Sequence, residues 1–160
     1  MNFSINAQIK IYKGSSTFSN DVIFNLNDNK VYKGNSMLSA NIVCNINEKK
    51  IYKGNSSFSK DVIYSILGDK VYIGNSKFSK DIVLTIKNGK IYNGNSSFSK
   101  DIIATVKDRN VYSGNSTLTK DILFRIDGNV TMIELIAIWY SVNYSYWGSG
   151  GKKTTGYNSK

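Results

Sequence analysis

A strict 20-residue period governs this chain. Lys10-Ile11-Tyr12-Lys13-Gly14 returns as Lys30-Val31-Tyr32-Lys33-Gly34 and Lys50-Ile51-Tyr52-Lys53-Gly54, then again from Lys70, Lys90 and Asn110. Each copy continues through a Gly-Asn-Ser-like stretch, Gly54 to Asp61 in the third, and ends in an alternating apolar segment. Six copies hold the period without an insertion. A short fixed period makes each unit one supersecondary element that buries its apolar face only against its neighbours.

The alternating segments read as strands. Val22, Phe24 and Leu26 share one face, as do Ile42, Cys44, Ile46, then Val62, Tyr64, Ile66, then Ile82, Leu84, Ile86. Ile102, Ala104, Val106 and Ile122, Phe124, Ile126 complete the set. The opposite face mixes Ile23, Val43, Ile63, Val83, Ile103 and Leu123 with Asn25, Asn45, Ser65, Thr85, Thr105 and Arg125, and reads as half wet. Asn88-Gly89 is a strong hairpin signal, because both turn residues must accept positive φ. That turn sets Lys87 opposite Lys90 and Ile86 opposite Ile91. Asp28-Asn29 and Gly68-Asp69 fit the same register, whereas Glu48-Lys49 and Asp108-Arg109 fit only its spacing. Tyr12, Tyr32, Tyr52, Tyr72, Tyr92 and Tyr112 then point away from the core.

Two strands in each of six units make twelve antiparallel strands. Closing them into a ring removes the edges that would recruit other chains. A ring of that size has a lumen too wide for small side chains to fill. The plug is legible where the repeat breaks, after Asp127-Gly128-Asn129. Thr131-Met132-Ile133-Glu134 is a capping box opening a helix to about residue 144 that is apolar almost all round, which implies burial on every side. At about 20 Å this helix is too short to span a bilayer. The expected fold is therefore all-β with one C-terminal helix: six hairpin repeats closed into a symmetric antiparallel barrel around a buried apolar helix. Residues 1–147 form one domain and 148–160 a flexible Gly/Lys tail. Phe3, Ile5, Ala7 and Ile9 alternate with polar residues and are expected to form the extra strand that pairs with the last one and closes the ring.

These units, Lys-Ile-Tyr-Lys-Gly-Asn-Ser joined by Ser-Lys-Asp-Val-Ile segments and ended by Glu-Leu-Ile-Ala-Ile-Trp-Tyr, resemble the bacterial β-flower proteins over Lys10 to Tyr144. The resemblance implies hairpin petals around a short barrel and leaves activity undefined. β-flowers are in turn similar in architecture to tubby-like barrels, a group that includes phosphoinositide-binding domains and scramblases. No tubby-type headgroup motif maps onto particular positions of this sequence.

Composition argues against catalysis. The chain has no His, so its many Ser residues lack the usual general base. Metal-ligand clusters and Gly-rich phosphate loops are absent, and no catalytic residue, metal or cofactor is expected. Cys44 cannot form an internal disulfide and lies on the inward face as a small core residue. The N-terminus lacks a signal-peptide pattern, so the expected location is the cytoplasm, peripheral to a membrane if lipid is bound.

A net charge of +10 favours an anionic membrane surface or an acidic macromolecule as partner of a monomer, with no small-molecule substrate evident. Lys10, Lys30, Lys50, Lys70 and Lys90 recur beside the hairpin turn, and Lys60, Lys80, Lys100 and Lys120 recur in the long loop. Rotation gathers each set into a ring that could seat anionic headgroups, although strand-end lysines also simply discourage edge pairing. The six tyrosines are the contact residues of the alternative, a protein-interaction or carbohydrate-binding repeat module. Asp21, Asp61, Asp81, Asp101 and Asp121 precede strands and are expected to bond local backbone.

Overall fold

The computed structural model describes residues 8–146, leaving Phe3, Ile5, Ala7 and the tail 148–160 outside the described residues. Its strands are β1 (Ile9–Lys13), β2 (Val22–Asn27), β3 (Lys30–Lys33), β4 (Ile42–Asn47), β5 (Lys50–Lys53) and β6 (Val62–Leu67). They continue as β7 (Lys70–Ile73), β8 (Ile82–Lys87), β9 (Lys90–Asn93), β10 (Ile102–Lys107), β11 (Asn110–Ser113) and β12 (Ile122–Asp127). Each pairs antiparallel with its chain neighbours, and β1 pairs with both β2 and β12, so the sheet is a closed barrel.

Ring closure differs in one respect from the sequence expectation. The strand that meets β12 is the first copy of the repeat itself, with Ile11 opposite Ile126 and Tyr12 opposite Arg125. Five petals are covalent hairpins and the sixth is assembled from the two ends of the barrel. A ring of repeats needs no extra strand, because the short strand that opens the first unit is the missing half of the last.

Within the hairpins the expected register holds, with Ile86 opposite Ile91 and Lys87 opposite Lys90. Asn88 and Gly89 both take positive φ, at 52° and 69°. Asp108 and Arg109 adopt the same conformation at 50° and 67°, although neither is a preferred residue there. The second turn residue also links petals: its carbonyl accepts the N–H of Ile46 (from Asn29, 2.7 Å) and of Ile126 (from Arg109, 2.8 Å).

Strict alternation fails at the start of each long strand. Ile11 faces Phe24 but Tyr12 faces Val22, which leaves Ile23 as an extra residue in a β-bulge. The other petals repeat this, as in Val31 opposite Cys44 and Tyr32 opposite Ile42. Val22, Ile42, Val62, Ile82, Ile102 and Ile122 therefore join the tyrosines on the outer face instead of the core. The bulge residues Ile23, Val43, Ile63, Val83, Ile103 and Leu123 pack on the core in their place. Each bulge carbonyl is held by the glycine that ends the hairpin, as in Gly34 N–H to Ile23 O at 2.8 Å.

The lumen is filled by α1 (Met132–Ser141), which continues as a π-helical turn over Val142–Tyr146. Its capping box forms as expected, Glu134 N–H donating to Thr131 Oγ1 and Thr131 N–H to Glu134 Oε1. Ile136, Ala137 and Ile138 are wholly buried. The helix packs most closely on β4, where Cys44 Sγ lies 3.7 Å from Ala137 O. Phe124 meets Trp139 at 6.4 Å, and Tyr64 meets Tyr140 edge-on at 6.0 Å.

Arg109 occupies a left-handed position at which a side chain costs about 1–2 kcal/mol. Its 3.4 Å ion pair with Asp127 joins two exposed side chains and contributes little. Arg109→Gly is therefore expected to stabilise the barrel by about 0.5–1 kcal/mol, after the entropy glycine adds to the unfolded chain. Urea unfolding measures this, and a lowered midpoint at unchanged slope would show that the turn is not strained.

Candidate functional site

Every petal carries the same eight-residue loop between strands, exemplified by Gly54 to Asp61. Gly54 turns the chain at φ 55°, and Ser56 N–H bonds Lys53 O at 3.1 Å. Ser56 Oγ then accepts the N–H of Phe58 and donates to Asp61 Oδ2 at 2.6 Å. The same Ser–Asp bond recurs at Ser16–Asp21, Ser76–Asp81, Ser96–Asp101 and Ser116–Asp121. The aspartate side chains thus have a loop hydroxyl as partner where local backbone was expected; each also donates its own N–H to backbone, as in Asp61 to Phe58 O.

The loop folds back over the outside of the barrel. Asn25 Nδ2 donates to Gly34 O and Ser36 O, both at 2.8 Å, and Asn45, Ser65, Thr85 and Thr105 hold their own loops in like manner. In the split petal Arg125 takes that position and lies over the Tyr12 ring at 5.8 Å. The outer strand face is part-buried, with Asn45, Ser65 and Arg125 half-buried and Asn25, Thr85 and Thr105 buried. The cover overturns one expectation, since the tyrosines are not free contact residues: Tyr12, Tyr32, Tyr72, Tyr92 and Tyr112 are buried and Tyr52 half-buried.

Packing the loop this way leaves one large apolar side chain outside. Phe18 is 74% exposed, Leu38 69%, Phe58 67%, Phe78 70%, Phe98 68% and Leu118 59%. One exposed apolar side chain recurs in every petal. Rotational repetition sets the six side chains in a ring at one height. A signal for them was present in the sequence, an apolar residue once per period that belongs to no strand face.

The two lysine rings fare differently. Lys60, Lys80, Lys100 and Lys120 lie two residues beyond a tip, in the one-turn 3-10 helix that follows it, and are exposed. Lys10, Lys30, Lys50, Lys70 and Lys90 are half-buried near the turns. Several of these tie petals together, as in Lys50 Nζ to Asn75 Oδ1 at 2.7 Å and Lys90 Nζ to Asn115 Oδ1 at 2.6 Å. The loop set is available to a partner, and the turn set is partly engaged in the frame.

At the loop end, where α1 finishes, a cleft of about 370 Å³ is lined by Lys33, Ile42, Val43, Lys53, Gly54, Tyr140 and Tyr144. The two tyrosines stack at 4.8 Å between centroids. Burial pushes the Tyr140 hydroxyl above its ordinary pKa, so it stays protonated at neutral pH. Among the described residues no group of three His, Cys, Asp or Glu is placed to hold a metal ion, and no helix is long and apolar enough to cross a membrane.

Six hairpins closed around one helix define a rotationally repeated barrel. The chain belongs to the 6-fold beta flower protein family, whose model matches residues 11–139. No curated protein and no solved structure matches it.

Cys44 tests the enclosure of the helix. Its Sγ lies 3.7 Å from Ala137 O and 3.5 Å from Ser141 Oγ, and burial pushes the thiol up to about 12. Thiol reagents should leave the native protein unlabelled and modify it on unfolding. The thiol's contribution to stability is whole below its unfolded pKa of 9.0 and declines as pH rises from there towards about 12, since only the unfolded chain ionises in that window. Rapid labelling of the folded protein at pH 8 would mean that the lumen is open.

Proposed function

We propose that this barrel is a non-enzymatic binding module that settles on anionic membrane surfaces through its loops. One observation carries the reading: exposed apolar tips recur in all six petals, four of them followed by an exposed lysine. That pairing is the chemistry of interfacial binding, where apolar side chains enter the headgroup region and basic ones meet anionic lipid. A loop lysine near such a surface contributes about 1 kcal/mol, and full burial of a Phe about 1.5–3 kcal/mol. Each contact is weak alone, and a ring of six engages as one multivalent surface. The rival reading through the tyrosines loses its contact residues to the covering loops.

Co-sedimentation with phosphatidylglycerol-containing and pure phosphatidylcholine vesicles tests the proposal. Binding to the anionic vesicles should weaken with salt, and Phe58→Ser, Phe78→Ser and Phe98→Ser together should weaken it at least tenfold without loss of fold. Wild-type protein that ignores anionic vesicles at low salt would refute it.

A further inference from the structure

We infer that the cleft at the loop-end mouth seats a phosphate monoester, held between Lys33 and Lys53 with its organic part against the Tyr140–Tyr144 stack. The argument starts from a break in symmetry. The residue that ends each short strand takes an inward register, Lys13 opposite Phe124, Lys33 opposite Phe24 and Lys53 opposite Cys44. In the other three petals the same position is Ile73, Asn93 and Ser113. Six nearly identical units thus gather their rim charge on one arc, and that arc is where α1 leans on β4 and its tyrosines emerge.

Lys33 and Lys53 are exposed, and neither has an ion-pair partner among the described residues. The cleft they line contains no acidic residue, so their charge is not neutralised within it. The two lysines flank a concavity whose other lining includes Ile42 and Val43. Two ammonium groups match a phosphate monoester, which carries close to two negative charges at neutral pH, better than a diester with one. The apolar lining and the stacked rings favour an ester whose organic part is flat or aliphatic. Such a group could come from a soluble metabolite or from a lipid headgroup, and this cleft is separate from the loop tips, so the inference stands without the membrane reading.

Calorimetric titration of the full chain with phenyl phosphate is the first arm. Wild-type protein should bind, and Lys33→Ala with Lys53→Ala should weaken binding by about tenfold per lysine. The matched control, Lys87→Ala with Lys107→Ala, removes the same exposed charge outside the cleft and should change affinity less than threefold. The second arm compares vesicles of phosphatidic acid, a monoester, with phosphatidylglycerol, a diester. A phosphatidic-acid preference lost in the cleft variant identifies a lipid source, and phenyl phosphate binding without that preference identifies a soluble one. Equal losses in the cleft and control variants, or wild-type protein that neither binds phenyl phosphate nor prefers phosphatidic acid, would overturn the inference. Loss of phosphatidylglycerol binding in the tip variants alone would bear on the loops and leave the cleft untouched.

Discussion

The pairing of β1 with β12 is the contact on which the rest depends. Without it the sheet has two open edges, no enclosed lumen and no reason to swallow an apolar helix. With it every strand has two partners, and the space enclosed must be filled. The helix follows from that need, since a ring of six inward layers cannot meet at its own centre. Covalent continuity supplies five petals, and backbone hydrogen bonds between distant segments supply the sixth. The joint is reinforced outside by Arg125 of β12, whose guanidinium lies over the Tyr12 ring of β1.

A second layer follows from the loops. Each bulge turns the first residue of a long strand outward beneath a loop that Asn, Ser or Thr on the strand holds down by its carbonyls. The barrel therefore has two apolar layers, a central one around α1 and an outer one of tyrosines and strand-start residues. Closing the outer layer spends the loop's polar atoms on itself and leaves Phe or Leu with nothing to pack against. Exposed apolar tips are thus tied to the same hydrogen bonds that rigidify the petals. A rigid tip loses little conformational entropy on binding, which suits a contact residue.

The period made the hairpin register legible, and turn chemistry at Asn88-Gly89 fixed it to the residue. Capping residues at Thr131 and Glu134 marked the helix start, and its apolar surround marked its burial. The bulge was not legible, because Val22-Ile23 and its counterparts are apolar pairs and alternation cannot tell which member turns inward. Burial of the tyrosines depends on a loop folding back through side-chain-to-carbonyl bonds, a tertiary event that no local pattern records. Lysines could be sorted into rings by period alone. Only the register separates those in the frame from those on loops and those at the mouth.

Amide hydrogen exchange across the ring-closing joint tests the account most directly. If β1 and β12 pair as a full petal, amides of Ile11 to Lys13 should be as protected as those of Ile51 to Lys53, the equivalent strand within a covalent hairpin. Exchange in β1 at the rate of an open edge, with β5 still protected, would contradict ring closure and with it the enclosed helix.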